Sequence, residues 1–155
     1  MQRIIVTEQP FTGYYQTIDY AYWKRQKAIA ELTPLTEMQV KAQIAKPAEG
    51  DVVPANSRVR VHGAAWTSNG EITKVELTTD GGATWTEAKL LGESKPNAWR
   101  LWEFNWQTPT APGRQTLIAR ATDSLGRTQP VHRDRDRDRG TYMINHLLPV
   151  TVQVR

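Results

Sequence analysis

Arg100 stands between Trp99 and Trp102 in the run Ala98-Trp99-Arg100-Leu101-Trp102, and it is the residue of this sequence best equipped for chemistry. A guanidinium keeps its charge at physiological pH and presents forked donors. Beside aromatic rings it is either a cation stacked in an aromatic surface or a pre-positioned ligand for an anion. The other candidates are weaker. Glu76, Glu87 and Glu103 fall in segments that read as strands, solvent-facing or paired, and no two of them stand out as acid and base. His62, His132 and His146 are too far apart to give a metal-ligand spacing, so no metal site is expected. Gly81-Gly82 is too short and wrongly placed for a phosphate loop. The run from Arg133 to Arg139 alternates arginine with aspartate, so an extended chain would put one charge on each side. It reads as a stripe that grips an anion or partner, or as a self-neutralising solvated loop; its net charge of about +1 favours the loop.

Strands must hold Arg100. Asp80-Gly81-Gly82 between two alternating segments predicts a β-hairpin, because a short hairpin loop needs positive φ and glycine supplies it without steric cost. Ile72 to Thr79 forms one arm, with Val75 and Leu77 on one face, and Trp85 to Leu91 forms the other. Trp99 to Trp106 puts Trp102, Phe104 and Trp106 on one face and Leu101, Glu103 and Asn105 on the opposite one. The same alternation marks strands at Met38 to Ile44, around Val59 and Val61, at Leu117 to Ala121 and at Pro149 to Arg155. About seven short strands with turns at regular spacing predict an all-β fold, an immunoglobulin-like antiparallel sandwich of the E-set kind over residues 35–155. Trp66 and Trp85 read as its core and edge aromatics.

Residues 1–34 have a different texture and read as an irregular aromatic arm. Ile4-Ile5-Val6 suggests one short strand, and Asp19 to Leu32 suggests a helix or irregular stretch, since its apolar positions follow neither period. Phe11, Tyr14, Tyr15, Tyr20, Tyr22 and Trp23 crowd this segment, a composition expected of a piece that packs onto something else.

Composition removes whole classes of function. The 155 residues include no cysteine, which excludes disulfides, zinc-thiolate sites and thiol catalysis. A net charge of +4, with basic residues scattered among acidic ones, does not call for nucleic acid. No apolar run approaches the roughly 20 residues that span a bilayer, so no membrane partner is expected. The first residues lack the apolar core of a signal peptide.

A family resemblance rests on particular residues. Gly63-Ala64-Ala65-Trp66, Val75 to Trp85 with its Asp80-Gly81-Gly82 centre, Ala88, Trp99-Arg100-Leu101-Trp102, Arg120-Ala121-Thr122-Asp123, Gly126, Gln129-Pro130 and Tyr142 to His146 follow one another in order. Over Leu35 to Arg155 this series resembles the carboxy-terminal dimerisation domain of the sulfite oxidase family, whose members are molybdopterin-dependent oxidoreductases. Pro10 to Gln16 and Asp19-Tyr20 resemble the tail of the preceding molybdenum domain. The resemblance implies a homodimer and an upstream or separate molybdopterin domain. It also implies a substrate oxyanion such as sulfite, bound among several arginines, one of which matches Arg100. Trp99 and Trp102 would then hold the arginine's stem and exclude water. Family members hold molybdenum through a pterin dithiolene and one cysteine thiolate. This chain has no cysteine, so it is expected to bind no molybdenum cofactor itself and to be inactive alone; the molybdopterin belongs to the complete enzyme.

Two functions therefore stand side by side. One is a dimerisation and active-site-completing domain of a molybdenum oxidoreductase. The other is a free-standing immunoglobulin-like binding or adhesion module, since this fold hosts many tasks. The aromatic arm favours the first. A periplasmic location would follow if the complete enzyme carries an export signal.

Overall fold

The computed structural model describes residues 3–26, 29–133 and 144–155. The alternating Arg/Asp run from Asp134 onward lies outside the described residues, as do Tyr142 and Met143. The chain divides into two compact units. The first holds the described residues up to Thr36 together with Ile144, and the second holds Glu37–Arg133 and Asn145–Arg155.

In the first unit, Tyr15–Asp19 makes one π-helical turn. A hairpin follows, β1 (Ala21–Gln26) against β2 (Ile29–Pro34), with Tyr22 opposite Thr33 and Trp23 opposite Leu32. The expectation of a helix or irregular stretch over Asp19 to Leu32 is thus corrected. Cross-strand pairs of aromatic, β-branched and aliphatic residues stabilise a hairpin, and such pairing does not show in the periodicity of one segment. No strand forms at Ile4 to Val6, whose side chains are exposed.

The second unit is a β-sandwich. Its strands are β3 (Lys41–Lys46), β4 (Val52–Val53), β5 (Arg58–Trp66), β6 (Ile72–Thr78), β7 (Thr86–Glu87), β8 (Lys89–Leu90), β9 (Arg100–Gln107), β10 (Gly113–Asp123) and β11 (Pro149–Val154). One sheet has the order β4-β11-β10-β6-β7 and the other β3-β5-β9-β8. Pairing is antiparallel except between β4 and β11. The inward residues close the core between the sheets: Val61, Ala65, Trp102 and Trp106 from one, Val75, Leu77, Leu117, Ala119, Ala121, Val152 and Val154 from the other. Alternation explains the arrangement, because each strand presents one apolar side to the opposing sheet.

Six of the seven expected strands form, and the two-residue β4 is added. The expected arm from Trp85 to Leu91 divides between the sheets. Glu87 pairs with Glu76 of β6, whereas Lys89 pairs with Glu103 of β9. Ala88 is the pivot, buried and still bonded through its N–H to the Val75 carbonyl at 2.8 Å. A small side chain there lets the chain cross from one sheet edge to the other against the core.

The Asp80-Gly81-Gly82 turn has the positive φ expected of it, +73° at Gly81 and +106° at Gly82. Asp80 organises the loop: its carboxylate accepts the Thr78 hydroxyl at 2.6 Å, the Thr84 hydroxyl at 2.6 Å and the Thr84 N–H at 3.0 Å. The two threonine hydroxyls, helped by the Thr84 N–H, hold this carboxyl well below its ordinary pKa.

Candidate anion-binding site

Arg100 is the first residue of β9, opposite Ala65 of β5. Its side chain shares the core-facing side of the strand with Trp102, which is wholly buried, while Arg100 itself is half-buried. One guanidinium nitrogen, Nη2, donates to the Gly92 carbonyl at 3.0 Å. Gly92 has φ +68° and sits at the start of the loop joining β8 to β9. The Leu91 N–H donates to the Leu101 carbonyl at 2.8 Å and closes the base of that loop. Arg100 Nε is buried and has no hydrogen-bond partner. Among the described residues His62 Nδ1, Trp102 Nε1 and His146 Nδ1 are likewise buried without a partner, and Arg100 contributes the one permanently charged group of the four. An unmet buried donor costs about 1–3 kcal/mol, so an acceptor brought to this guanidinium would be bound with that advantage.

The aromatic neighbours are arranged differently from the expectation. Trp99 precedes Arg100 by one residue, lies just outside β9 and is 75% exposed. It therefore does not shield the arginine stem; Trp102, two residues on, is the tryptophan that shares its face. The cation–π contacts among the described residues also lie elsewhere, with Arg120 4.1 Å above the Trp85 ring and Lys41 5.9 Å from that of Trp66. Of the two readings of Arg100, the stacked cation loses its partner.

Two of the three carboxylates, Glu76 and Glu103, are ion-paired. Glu76 takes Arg120 Nε at 2.9 Å and Lys74 Nζ at 3.3 Å. The Arg120 hydrogen bond is the larger influence holding its carboxyl below the usual range; burial opposes it and Lys74 adds to it. Glu103 takes Arg60 Nε at 2.9 Å and Lys89 Nζ at 3.6 Å. Glu87 is exposed. Neither ion-paired glutamate is placed as a free base.

Two polar centres escaped the sequence reading. Asp123 has a fully buried carboxylate that accepts Arg127 Nε at 2.7 Å, the Thr67 hydroxyl at 2.9 Å, and the N–H groups of Leu125 and Arg127, each at 3.0 Å. Arg127 also donates to the Ser68 carbonyl. Burial pushes the Asp123 carboxyl up, but these hydrogen bonds outweigh it and the net shift is downward. Gln129 is the second. Its buried Oε1 accepts the Ala42 N–H at 2.7 Å and the Ala121 N–H at 3.0 Å, joining the edge of β3 to β10. Asp123, Gly126 and Gln129-Pro130 were visible as motif residues, but their partners lie on distant strands.

The donor set does not fit a molybdenum cofactor. The sequence contains no thiolate, and among the described residues no three His, Asp or Glu side chains gather as a metal site. What the arrangement offers is a fixed, partly unsatisfied guanidinium at the end of a strand, suited to one side of a tetrahedral oxyanion.

Comparison with known proteins agrees with the fold. Residues 33–152 match the model of the Mo-co oxidoreductase dimerisation domain. Mitochondrial sulfite oxidase of Mus musculus is 33% identical over 106 residues, covering 64% of this chain and 19% of that protein. An inducible NADH nitrate reductase of Glycine max is 27% identical over 157 residues, covering 84% of this chain and 17% of that protein. The chain thus spans about a fifth of the length of these curated relatives. The crystal structure of the sulfane dehydrogenase of Paracoccus pantotrophus superposes with a TM-score of 0.67 at 25% identity, over 88% of this chain and 35% of that one. With the match running through every strand of the sandwich up to Val152, this chain belongs to the family of Mo-co oxidoreductase dimerisation domains.

Proposed function

We propose that this domain dimerises a complete sulfite oxidase-like molybdenum enzyme and supplies Arg100 to an oxyanion site whose remaining groups lie on a neighbouring cofactor-bearing domain. The observation that carries the reading is the buried, unpartnered Nε of Arg100, on the guanidinium anchored through Nη2 to Gly92. A permanent charge with forked donors suits sulfite or a related tetrahedral anion, and holding it on a strand keeps its geometry before the anion arrives. The molybdenum chemistry belongs to the other domain, since this chain has no cysteine to supply a thiolate ligand.

Residues 1–34 fit the same reading as the tail of that cofactor-bearing domain. Ile4, Val6, Phe11, Tyr14 and Tyr15 are exposed here, a set of side chains that a solvated arm does not favour. A free-standing adhesion module leaves both this arm and the Arg100 donor without a purpose. Replacing Arg100 by methionine in the complete enzyme tests the assignment. The Michaelis constant for the oxyanion should rise with the fold intact, and an unchanged constant would remove Arg100 from the site.

A further inference from the structure

We infer that Gly92 is a positioning residue for Arg100: its left-handed backbone aims a neutral carbonyl at the guanidinium, which fixes the plane of the arginine while leaving its charge for the oxyanion. The inference rests on the reading of Arg100 given above and names the group that orients it.

The way this arginine is held sets it apart. Arg60, Arg120 and Arg127 each give Nε to a carboxylate, at 2.9, 2.9 and 2.7 Å, so their charge is neutralised within the chain. Among the described residues no carboxylate forms an ion pair with Arg100. Its Nη2 donates instead to the Gly92 carbonyl at 3.0 Å, and its Nε stays buried without a partner. A carbonyl orients a guanidinium through its dipole and cancels none of its charge. A carboxylate in the same place would compete with the incoming anion.

Two attachments define the side chain. The first is its own strand, since Arg100 opens β9 opposite Ala65 of β5 and the next residue, Leu101, accepts the Leu91 N–H at 2.8 Å. The second is the Gly92 carbonyl, one residue beyond that tie. A long side chain fixed only at its Cα samples many rotamers, and ordering it at the moment of binding lowers affinity. Holding Nη2 from the loop removes much of that freedom before the anion arrives.

The direction of the carbonyl depends on the backbone of Gly92. Its φ of +68° lies in the left-handed region, which a residue with a Cβ enters only at a cost. Nothing lies within 4 Å of an added Cβ, so packing does not demand glycine here; the backbone conformation does. Were residue 92 to relax into the right-handed or extended region, its peptide would rotate and the carbonyl would leave Nη2. Gly81 is the matched control. It has φ +73° and the same open space, but it belongs to the Asp80 turn after β6. Alanine at either glycine introduces similar strain, and only at Gly92 does that strain move an acceptor of Arg100.

Two measurements test the role: steady-state kinetics of the complete enzyme, and nitrogen–proton NMR of the Arg100 Nε–H in the full chain, assigned by its loss in Arg100→Lys. Thermal melts confirm that each variant folds. Gly92→Ala should raise the Michaelis constant for sulfite about 3- to 10-fold with kcat little changed, the effect of losing one hydrogen bond that orients a charged group. Asparagine tolerates positive φ, so Gly92→Asn should restore most of the wild-type value. Gly81→Ala should leave the constant unchanged. Added to Arg100→Met, Gly92→Ala should have no further effect, because the residue it positions is gone. The Arg100 Nε–H signal should be sharp in the wild type and in Gly81→Ala, and broadened by exchange in Gly92→Ala. A wild-type constant or a wild-type signal in Gly92→Ala overturns the positioning role while leaving Arg100 in the site. So does an equal effect of Gly81→Ala, or an asparagine variant as impaired as the alanine one. An Arg100→Met enzyme with the wild-type constant removes both readings.

Discussion

Gln129 accepts the backbone N–H of Ala42 through its buried carboxamide oxygen at 2.7 Å, across 87 positions of sequence. The same oxygen takes the Ala121 N–H at 3.0 Å, and the amide nitrogen donates to the Asn145 carbonyl at 3.2 Å. One side chain thereby satisfies the open edge of β3, a free stretch of β10 and the segment leading into β11. Backbone donors buried at a sheet edge need such a partner.

Gln129→Met keeps the length of the side chain and removes both polar atoms. Two buried N–H groups lose their acceptor, each at about 1–3 kcal/mol, so urea unfolding should show a loss of about 2–6 kcal/mol. A change below about 0.5 kcal/mol would mean that the bridge contributes nothing to holding the sheets together.

Gly63 is placed where no side chain fits. An added Cβ would lie 1.9 Å from the Gln43 carbonyl oxygen and 2.8 Å from the Trp102 ring. Gly63→Ala should therefore destabilise the sandwich by about 3 kcal/mol or more, by forcing β3 away from β5. Gly113, with open space at the Cβ position, is the control. Gly113→Ala should stay within about 0.5 kcal/mol of wild type in the same thermal or denaturant assay.

Acid should unfold the sandwich partly through Asp123. Its folded pKa is depressed by Arg127, Thr67 and two backbone N–H groups against the opposing effect of burial. A depressed carboxyl contributes stability that is present above its unfolded pKa and is lost as pH falls through the folded value. Stability should fall from about pH 4 downward, and Asp123→Asn should flatten that part of the profile. The variant should also lose about 2–4 kcal/mol at neutral pH, below the range for a fully buried pair because Arg127 is partly exposed. Denaturant titrations at pH 7, 5 and 3 read both effects, and a parallel profile for the two proteins would contradict the account.

The sandwich was legible because its longer strands alternate cleanly. The Val75/Leu77, Trp102/Phe104/Trp106 and Val150/Val152/Val154 faces read directly as inward sides, and glycine marked the turn after Asp80. The split of Trp85 to Leu91 was not legible, since Ala88 is apolar enough to continue either strand and only the closing of two sheets tells them apart. The hairpin in the first unit was hidden for a related reason: it is held by Tyr22–Thr33 and Trp23–Leu32 pairs rather than by a periodic face. At the site, the sequence singled out Arg100, whereas the exposure of Trp99, which lies just outside β9, could not be read because strand alternation does not extend to a loop residue. The Gly92 carbonyl that anchors the arginine could not be read at all, because a backbone acceptor carries no residue signature.

The central claim is that Arg100 binds the oxyanion from this domain, and steady-state kinetics of the complete enzyme tests it most directly. Arg100→Met removes charge and donors together, whereas Arg100→Lys keeps the charge and loses the fork. The loss of one charge-assisted contact predicts a Michaelis constant for sulfite raised about 10- to 100-fold in the methionine variant and less in the lysine variant, with unchanged melting temperature. A methionine variant that melts like wild type and keeps the wild-type Michaelis constant would contradict the assignment.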